Sequence, residues 1–202
     1  MSVRVLLAED QAMVRGAIAA LLALEEDIEI VGEASRGDEV VTLALESGPD
    51  VALLDVEMPG GDGLDAAASL RQELPSCRVI ILTTFGRAGY LKRAMANGAS
   101  GFLLKDAPSS ELAEAIHKVM RGERVVDPDL AIMALSAGDN PLTERERETL
   151  AASEDGATIE DVAARLYLSE GTVRNYLSSA IKKLGKRNRV EAARLAQKRG
   201  WL

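Results

Sequence analysis

The chain of 202 residues is 47% hydrophobic and carries a formal net charge of −8, a composition ordinary for a globular protein and a length that suits two small domains. No apolar run approaches the roughly 18 residues of a membrane span, and no signal-peptide pattern precedes the first strand, so a membrane association is not expected. Cys77 is the only cysteine, which excludes an intrachain disulfide and favours a reducing cytoplasm as the setting.

The first part of the chain predicts an alternation of strands and helices. Short apolar runs bounded by turn residues have the length of buried strands at residues 3–7, 28–31, 51–54, 78–82 and 101–104. Apolar residues recur at helical spacing in residues 12–24, 38–46, 64–74, 89–97 and 109–121, with Asp38 as the predicted N-cap of the second helix. Five such repeats predict an α/β domain with a parallel sheet covered on both faces.

Polar residues stand where four of these strands end. They are Glu9 and Asp10 after the first strand, Asp55 at the end of the third, Thr83 and Thr84 after the fourth, and Lys105 after the fifth. Ligands of open parallel sheets bind beyond the carboxyl ends of the strands, so these groups predict a site for a metal and a phosphoryl group, with Asp55 as nucleophile. The alternative is that the acids are merely solvated at loop tips. The chain lacks a G-x-G-x-x-G or Walker pattern, which argues against a dinucleotide or ATP site.

From residue 141 the pattern changes to closely spaced helices without strands. Residues 123–140 are predicted to be a linker with one or two helical turns in the apolar patch 130–135. Four predicted caps then begin helices that end near residues 152, 166, 184 and 198: Thr143 in a capping box with Glu146, Thr158, Ser169 and Asn188. A short helix, a tight turn and a longer basic helix predict a helix-turn-helix. The predicted domains are residues 1–122 and 141–202.

Charge is divided unevenly between these two predicted domains. Residues 1–140 contain 12 basic and 23 acidic residues, whereas residues 171–202 contain 9 basic and 1 acidic, a net charge of +8. An acidic domain therefore precedes a basic end that can face a polyanion. Charge alone does not decide between nucleic acid and a solvated basic face.

The acidic domain resembles a known family. The motifs that carry the resemblance are Glu9-Asp10, Asp55 followed by Met58-Pro59-Gly60, Thr83, and Leu104-Lys105-Asp106-Ala107-Pro108. Over residues 1–122 they are similar to the receiver domain of bacterial two-component response regulators. The resemblance implies a five-stranded parallel fold of the flavodoxin-like (CheY-like) type and phosphorylation of Asp55 by a sensor histidine kinase.

The resemblance also implies a Mg²⁺ site. Hard cations prefer oxygen ligands, and a divalent cation lowers the repulsion between an aspartate nucleophile and a phosphoryl group. Asp10 and Asp55 fit as direct ligands and Glu9 as a ligand through water, while the family adds the backbone carbonyl of Glu57. Lys105 is expected to pair with the phosphoryl oxygens.

The family further implies a switch built on a hydroxyl and an aromatic residue. Its spacing selects Thr83 as the hydroxyl, with Thr84 as the alternative if the strand ends one residue later. Phe102 resembles the switch aromatic; the alternative is a plain core phenylalanine, and without a hydroxyl it can act only by packing. His117, the only histidine, lies within a predicted helix and is expected to be structural.

The basic domain resembles the LuxR/NarL type of DNA-binding domain. The resemblance rests on Leu142-Thr143-x-Arg145-Glu146, Val162-Ala163-x-x-Leu166, Ser169-x-x-Thr172-Val173-Arg174-Asn175 and Lys183-Leu184 with Asn188-Arg189. Tyr176, where the family often has histidine, and the segment 158–161 depart from the usual pattern. Carried over by position, the candidates for base edges are Arg174, Asn175 and Ser178, and those for phosphates are Thr172, Lys182, Lys183, Arg187 and Arg189.

Together the two resemblances imply a response regulator that binds a double-stranded DNA operator. Since one helix-turn-helix reads only a few base pairs, a homodimer formed on phosphorylation is expected, with Val190, Ala193 and Gln197 as candidate contacts along the last helix. One alternative is a constitutive DNA binder whose receiver does not respond to phosphate. The other is an aspartyl-phosphate phosphatase, which would normally have a second aspartate where this chain has Glu57. Beyond self-catalysed phosphotransfer and autodephosphorylation, no enzyme activity is expected.

Overall fold

The computed structural model describes residues 2–84, 86–136, 138–153 and 156–202, without the side chains of Ser109 and Ser136. The chain divides into two compact units, Met1–Gly86 with Tyr90–Ile132, and Met133–Leu202 with Arg87–Gly89. In the described part of the chain, no helix combines the length and the apolar character needed to cross a membrane.

The first unit is a parallel sheet with helices between its strands. Its strands are β1 (Val3–Ala8), β2 (Ile28–Ala34), β3 (Val51–Asp55), β4 (Arg78–Thr83), β5 (Gly101–Leu104) and β6 (Val125–Val126), in the order β2-β1-β3-β4-β5-β6. Helices α1 (Ala12–Leu22), α2 (Val40–Ser47), α3 (Gly63–Glu73) and α5 (Ser109–Met120) lie within this unit, and α4 (Ala88–Ala96) and α6 (Pro128–Ser136) lie partly in it. The predicted α/β class and the parallel sheet are confirmed.

The sheet is buried because apolar residues occupy both of its faces. On one face, alternate residues of β1, β3 and β4 join a cluster with residues of α1 and α5, including Val5, Leu53, Ile80, Ile18 and Ile116. Their neighbours Leu6, Leu54 and Ile81 are also fully buried and point to the opposite face, as successive strand residues do. Helices α2 and α3 contact the sheet as well. This two-sided burial fixes the strand ends in place.

Three details differ from the sequence expectations. The sheet has a sixth strand, β6, which pairs with β5 through two residues and is too short for periodicity to reveal. The apolar patch 130–135 belongs to the longer helix α6, whose first turn is capped by Asp127 through a 2.9 Å hydrogen bond from the amide of Leu130. The prediction of Asp38 as an N-cap is wrong: Gly37–Glu39 form a turn of 3-10 helix, and the Asp38 carboxylate instead binds the guanidinium of Arg36.

The described residues of the second unit form helices and no strand. Four helices lie wholly within it: α7 (Glu144–Ala151), α8 (Ile159–Leu166), α9 (Glu170–Lys183) and α10 (Arg189–Lys198). The predicted caps are confirmed, because the side chains of Thr143, Thr158, Ser169 and Asn188 each accept a hydrogen bond from the first turn of their helix. Leu150, Val162, Val173, Ala192 and Trp201 are among the buried residues of its core.

Candidate functional site

The polar groups predicted at the strand ends come together at one edge of the sheet. The parallel register places Ala8 beside Leu54, Asp55 beside Leu82, and Thr83 beside Leu104. Glu9 and Asp10 follow β1 directly, and Lys105 follows β5. Four separate segments thus deliver carboxylates, a hydroxyl and an ammonium to a single cleft.

Three carboxylates and one lysine form the centre of this cleft. One carboxylate oxygen from each of Glu9, Asp10 and Asp55 lies within 4.8 Å of the others. Lys105 Nζ lies 2.6 Å from Glu9 Oε2 and 2.9 Å from Asp55 Oδ2. Glu9 and Asp55 are buried, at 1% and 5% exposure, whereas Asp10 is exposed. The cluster is therefore more negative than a single ammonium can neutralise.

The pKa values of Asp55 and Lys105 are both raised above their ordinary values. Burial raises the pKa of Asp55, and the hydrogen bond and charge of Lys105 offset part of this effect. Burial opposes the charged form of Lys105, but its contacts with Glu9 and Asp55 outweigh burial and raise the pKa of the ammonium. Lys105 therefore carries a stable positive charge beside the acid cluster.

The cluster fits a hard divalent cation. Glu9 Oε2 is buried and accepts no hydrogen bond of acceptable geometry from any residue that the structure describes, although the Lys105 ammonium lies close to it. Buried carboxylate oxygens that lack a full set of partners are costly, and a cation would satisfy them. Since all three donors are carboxylate oxygens, their chemistry fits Mg²⁺.

The remaining residues predicted for this site have distinct environments. Thr83 ends β4 with 1% exposure, and its carbonyl accepts a 2.9 Å hydrogen bond from the Lys105 amide, whereas Thr84 is exposed. The Glu57 carboxylate accepts a hydrogen bond of 3.3 Å from the hydroxyl of Tyr90. Phe102 is fully buried in β5. The Thr83 hydroxyl, rather than that of Thr84, thus belongs to the buried end of the strand.

His117 lies apart from the acid cluster. Its Nε2 lies 3.1 Å from a carboxylate oxygen of Asp27, which precedes β2. The pair links α5 to the loop after α1, in keeping with a structural role for His117.

A glycine that sequence reasoning did not single out controls the backbone behind Asp55. The Gly63 amide donates a 3.0 Å hydrogen bond to the carbonyl of Val56. A Cβ atom at Gly63 would lie 1.9 Å from the carbonyl oxygen of Asp55, which is far inside a van der Waals contact. Only glycine allows the start of α3 to approach the strand end this closely. The run of glycines after Asp55 was the available signal.

The second unit presents the predicted recognition helix, α9, to solvent. Val173, Leu177 and Ala180 are buried in the helical core, and the residues predicted to contact bases, Arg174, Asn175 and Ser178, are all exposed. The Arg174 guanidinium forms a 2.7 Å ion pair with Glu170, one turn earlier. Exposed pairs of this kind contribute little to stability, so Arg174 can exchange Glu170 for another partner.

The five predicted phosphate ligands differ in how strongly they are already engaged. Lys183 Nζ forms an ion pair of 2.7 Å with Glu146, and Arg187 is paired with Glu191. The hydroxyl of Thr172 lies 2.8 Å from that of Ser169. Neither Lys182 nor Arg189 forms an ion pair with any residue that the structure describes. Lys182 is exposed, whereas Arg189 is half-buried. Lys182 is therefore the most available cation on α9.

The candidate dimer residues do not all reach the surface. Val190 is 52% exposed, and Gln197 is exposed as well. Ala193 is 5% exposed and packs into the core of the second unit. A contact between two copies along α10 would therefore rest on Val190 and Gln197, and the contact itself stays a prediction.

Glu146 is the buried acid that sequence reasoning interpreted only as half of a capping box. It is 4% exposed, and its carboxylate accepts hydrogen bonds from the Thr143 amide, the Ser179 hydroxyl and the Lys183 ammonium. Burial raises the pKa of Glu146, but these bonds outweigh it and lower the pKa from 4.5 to about 2. Glu146 thereby joins the start of α7 to the middle and end of α9.

We expect Glu146→Gln to destabilise the second unit at neutral pH. Losing hydrogen bonds to a charged group costs about 1.5 to 3 kcal/mol. Because the folded pKa is lowered, the stabilisation is complete above the ordinary value of 4.5 and is lost as the pH falls toward about 2. The difference in the free energy of unfolding between the variant and the unmodified chain should therefore shrink from pH 7 to pH 3, as chemical denaturation can measure.

Glu148→Gln is the matched control for this experiment. Glu148 lies on the same helix, and its pair with Arg145 is exposed, with side-chain exposures of 36% and 58%. Its loss should cost at most about 1 kcal/mol. An equal loss of stability for Glu146→Gln at both pH values would contradict the role of its charge.

Comparisons with known proteins agree with this geometry. Residues 5–117 match the family described as "Response regulator receiver domain", and residues 140–196 match "Bacterial regulatory proteins, luxR family". The chain is similar to two proteins of Bacillus subtilis (strain 168). They are the "Uncharacterized transcriptional regulatory protein YvfU", 46% identical over 99% of this chain and 100% of that protein, and the "Transcriptional regulatory protein DesR", 45% identical over 98% of each.

A solved structure extends the similarity to three dimensions. The response regulator ChrA of a haem-sensing two-component system is 35% identical, with a TM-score of 0.58, over 100% of this chain and 99% of that chain. The similarity thus spans both units in sequence and in structure.

Proposed function

This chain belongs to the two-component response regulators that join a receiver domain to a LuxR-type DNA-binding domain, and on that premise we propose that phosphorylation of Asp55 controls its binding to DNA. It is a transcriptional regulator. The observation that carries the proposal is the convergence of Glu9, Asp10 and Asp55 with Lys105 at one edge of the sheet. The proposed domain limits are residues 1–122 and 141–202, joined by residues 123–140.

The chemistry proposed for the cleft is transfer of a phosphoryl group to Asp55. A carboxylate oxygen of Asp55 attacks the phosphorus of a phosphohistidine, the phosphorus–nitrogen bond breaks, and an acyl phosphate forms. The electron pair of the broken bond stays on the histidine of a partner sensor kinase. The only other reaction that we assign to the chain is hydrolysis of the acyl phosphate, in which water attacks the phosphorus, inorganic phosphate leaves and the Asp55 carboxylate is restored.

The residues around Asp55 have separate roles in this proposal. Asp10 and Asp55 would hold Mg²⁺ directly, Glu9 through water, and Glu57 through its backbone carbonyl; the ion would supply charge neutralisation at the phosphoryl group. Lys105 would pair with the phosphoryl oxygens, and its distance of 2.9 Å from Asp55 supports this role. The Thr83 hydroxyl would hydrogen-bond one of them, and the buried Phe102 would adjust its packing in response.

The direct test is labelling by a small phosphodonor such as acetyl phosphate. We expect a stable, Mg²⁺-dependent label on the full chain, which is lost when the metal is removed with EDTA. A label that turns over as fast as it forms would indicate an aspartyl-phosphate phosphatase. No label at all would indicate a constitutive DNA binder, and either outcome would overturn the proposal.

The proposed target of the second domain is double-stranded operator DNA. Helix α9 would enter the major groove, with Arg174, Asn175 and Ser178 at base edges, because Arg and Asn can form bidentate hydrogen bonds with guanine and adenine. The cations of α9 and the following loop would hold phosphates and fix the register. Because its target is bacterial DNA, the proposed location is the cytoplasm.

We expect phosphorylation to convert the chain into a dimer that binds two half-sites. Half-sites would lie about 10 base pairs apart or a multiple of that distance. Changing a mostly inactive population into a mostly active one requires about 5.5 kcal/mol of differential stabilisation, which the phosphate, the dimer and DNA can share. Analytical ultracentrifugation with and without beryllofluoride, a mimic of the phosphoryl group, measures the change of mass.

Two variants sharpen this dimerisation test. Asp55→Ala should remain monomeric with beryllofluoride, because the mimic binds at the phosphoacceptor. Val190→Glu places a charge on the exposed side of α10 and should weaken paired binding to DNA if that face is used. A monomer that binds DNA equally well with and without beryllofluoride would rule out dimerisation driven by phosphorylation.

A further inference from the structure

A polar cavity lies at the edge of the sheet opposite to Asp55. It has a volume of about 340 Å³ and opens where β4 and β6 begin, since Arg78 is the first residue of β4 and Arg124 directly precedes β6. Arg71, from the last turn of α3, and Ser100, which precedes β5, also line it. Three arginines from different segments thus face one concave surface, which we call the arginine pocket.

Arg71 is held in place by its neighbours. Its Nη1 donates a 3.2 Å hydrogen bond to the carbonyl of Ala96 at the end of α4. The aliphatic part of the Arg71 side chain lies against Gly98, where a Cβ atom would be 2.6 Å from Arg71 Cδ. The backbone of Gly98 has a φ of +93°. A side chain at Gly98 would therefore displace Arg71, so this glycine allows the guanidinium to reach the pocket.

The positive charge of the pocket is not neutralised within the described residues. Glu123 also lines the pocket, but its carboxylate already lies 2.6 Å from Arg121 Nε. The guanidiniums of Arg78 and Arg124 form neither an ion pair nor a hydrogen bond with any residue in the described part of the chain. This is a local excess of positive charge in a domain whose overall charge is strongly negative.

We propose that the arginine pocket binds a small anion that carries two linked phosphates, of the pyrophosphate type. Guanidiniums bind phosphate oxygens with paired hydrogen bonds, and three of them match the charge of a diphosphate better than that of a single carboxylate. The volume lies in the range of small-molecule sites. A concave pocket between strand ends accommodates a small ligand, whereas a DNA duplex requires a broader surface. This site is separate from the phosphoacceptor cleft at the other edge of the sheet.

The test uses the full chain labelled with ¹⁵N and titrated with inorganic pyrophosphate, with EDTA present to remove metal from the acid cluster. We expect the amide signals of Gly98, Ser100 and Arg124 to shift in a saturable manner. Sodium chloride at the same ionic strength should leave them in place. Shifts confined to α9, or equal shifts with chloride, would overturn the proposal because they indicate general attraction of anions.

Variants identify the groups responsible. Arg78→Gln and Arg124→Gln should each weaken pyrophosphate binding about tenfold or more, as the loss of a charge-assisted hydrogen bond requires. Arg124→Lys should restore part of the affinity, since it keeps the charge but not the paired hydrogen bonds. Lys118→Gln removes a charge on α5 outside the pocket and should bind as the unmodified chain does. Unchanged affinity in both arginine variants, with thermal unfolding also unchanged, would exclude the pocket as the site.

Discussion

Asp55→Ala is expected to abolish Mg²⁺-dependent labelling by a small phosphodonor while the chain remains folded. Asp55 is the carboxylate that ends the central strand β3 and lies 2.9 Å from Lys105. The Asp55 carboxylate is both the nucleophile and one of the proposed metal ligands. Because alanine removes both, no residual phosphoryl transfer should be detectable. Mass spectrometry of the intact protein after treatment with acetyl phosphate measures the phosphoryl group directly.

Asp106→Ala is the matched control for the loss of an acid. Asp106 is an exposed aspartate next to Lys105, but it lies outside the cluster of Glu9, Asp10 and Asp55. Its removal should leave the amount of label unchanged. Thermal unfolding should show that both variants fold, since Asp55 accounts for only one of the buried residues of β3. Retained labelling in Asp55→Ala would show that another residue accepts the phosphoryl group.

The position of the acid cluster was predictable because its signal is local. Each strand is a short apolar run, and the polar residue at its end stands next to it in the sequence. In a parallel sheet these ends meet at one edge, so the contact between Asp55 and Lys105, 50 residues apart, follows from the class of the fold. The caps of α7 to α10 were predictable for the same reason, since a capping side chain lies within one turn of its helix.

Strand β6 and the role of Glu146 were missed because they depend on contacts between distant residues, whereas the prediction for Asp38 failed for a local reason: Arg36, two residues earlier, binds its carboxylate. Strand β6 consists of two residues and exists through its pairing with β5. The role of Glu146 depends on Ser179 and Lys183, more than 30 residues away. Sequence spacing contains no signal for partners of this kind.

Replacing a residue that contacts bases and replacing one that contacts phosphates should change DNA binding in different ways. Arg174→Ala should relax the sequence preference at one base step and cost about 1 to 3 kcal/mol on the specific operator, with little change on random DNA. Lys182→Ala should weaken binding to all sequences alike and reduce the slope of affinity against salt by about 1. Fluorescence anisotropy at several salt concentrations, with specific and random duplexes, measures both quantities.

The structure supplies the controls for this comparison. Arg194 is an exposed arginine on α10 outside the predicted contacts, so Arg194→Ala tests whether the loss of any positive charge gives the same result. Lys183→Ala differs from Lys182→Ala in that it also removes the charged partner among the three hydrogen-bond donors to the buried Glu146, and it should lower the stability of the second unit as well as the affinity. If Arg174→Ala and Lys182→Ala lose affinity equally for specific and random DNA, α9 does not read the bases through Arg174, and the assignment of base contacts is wrong.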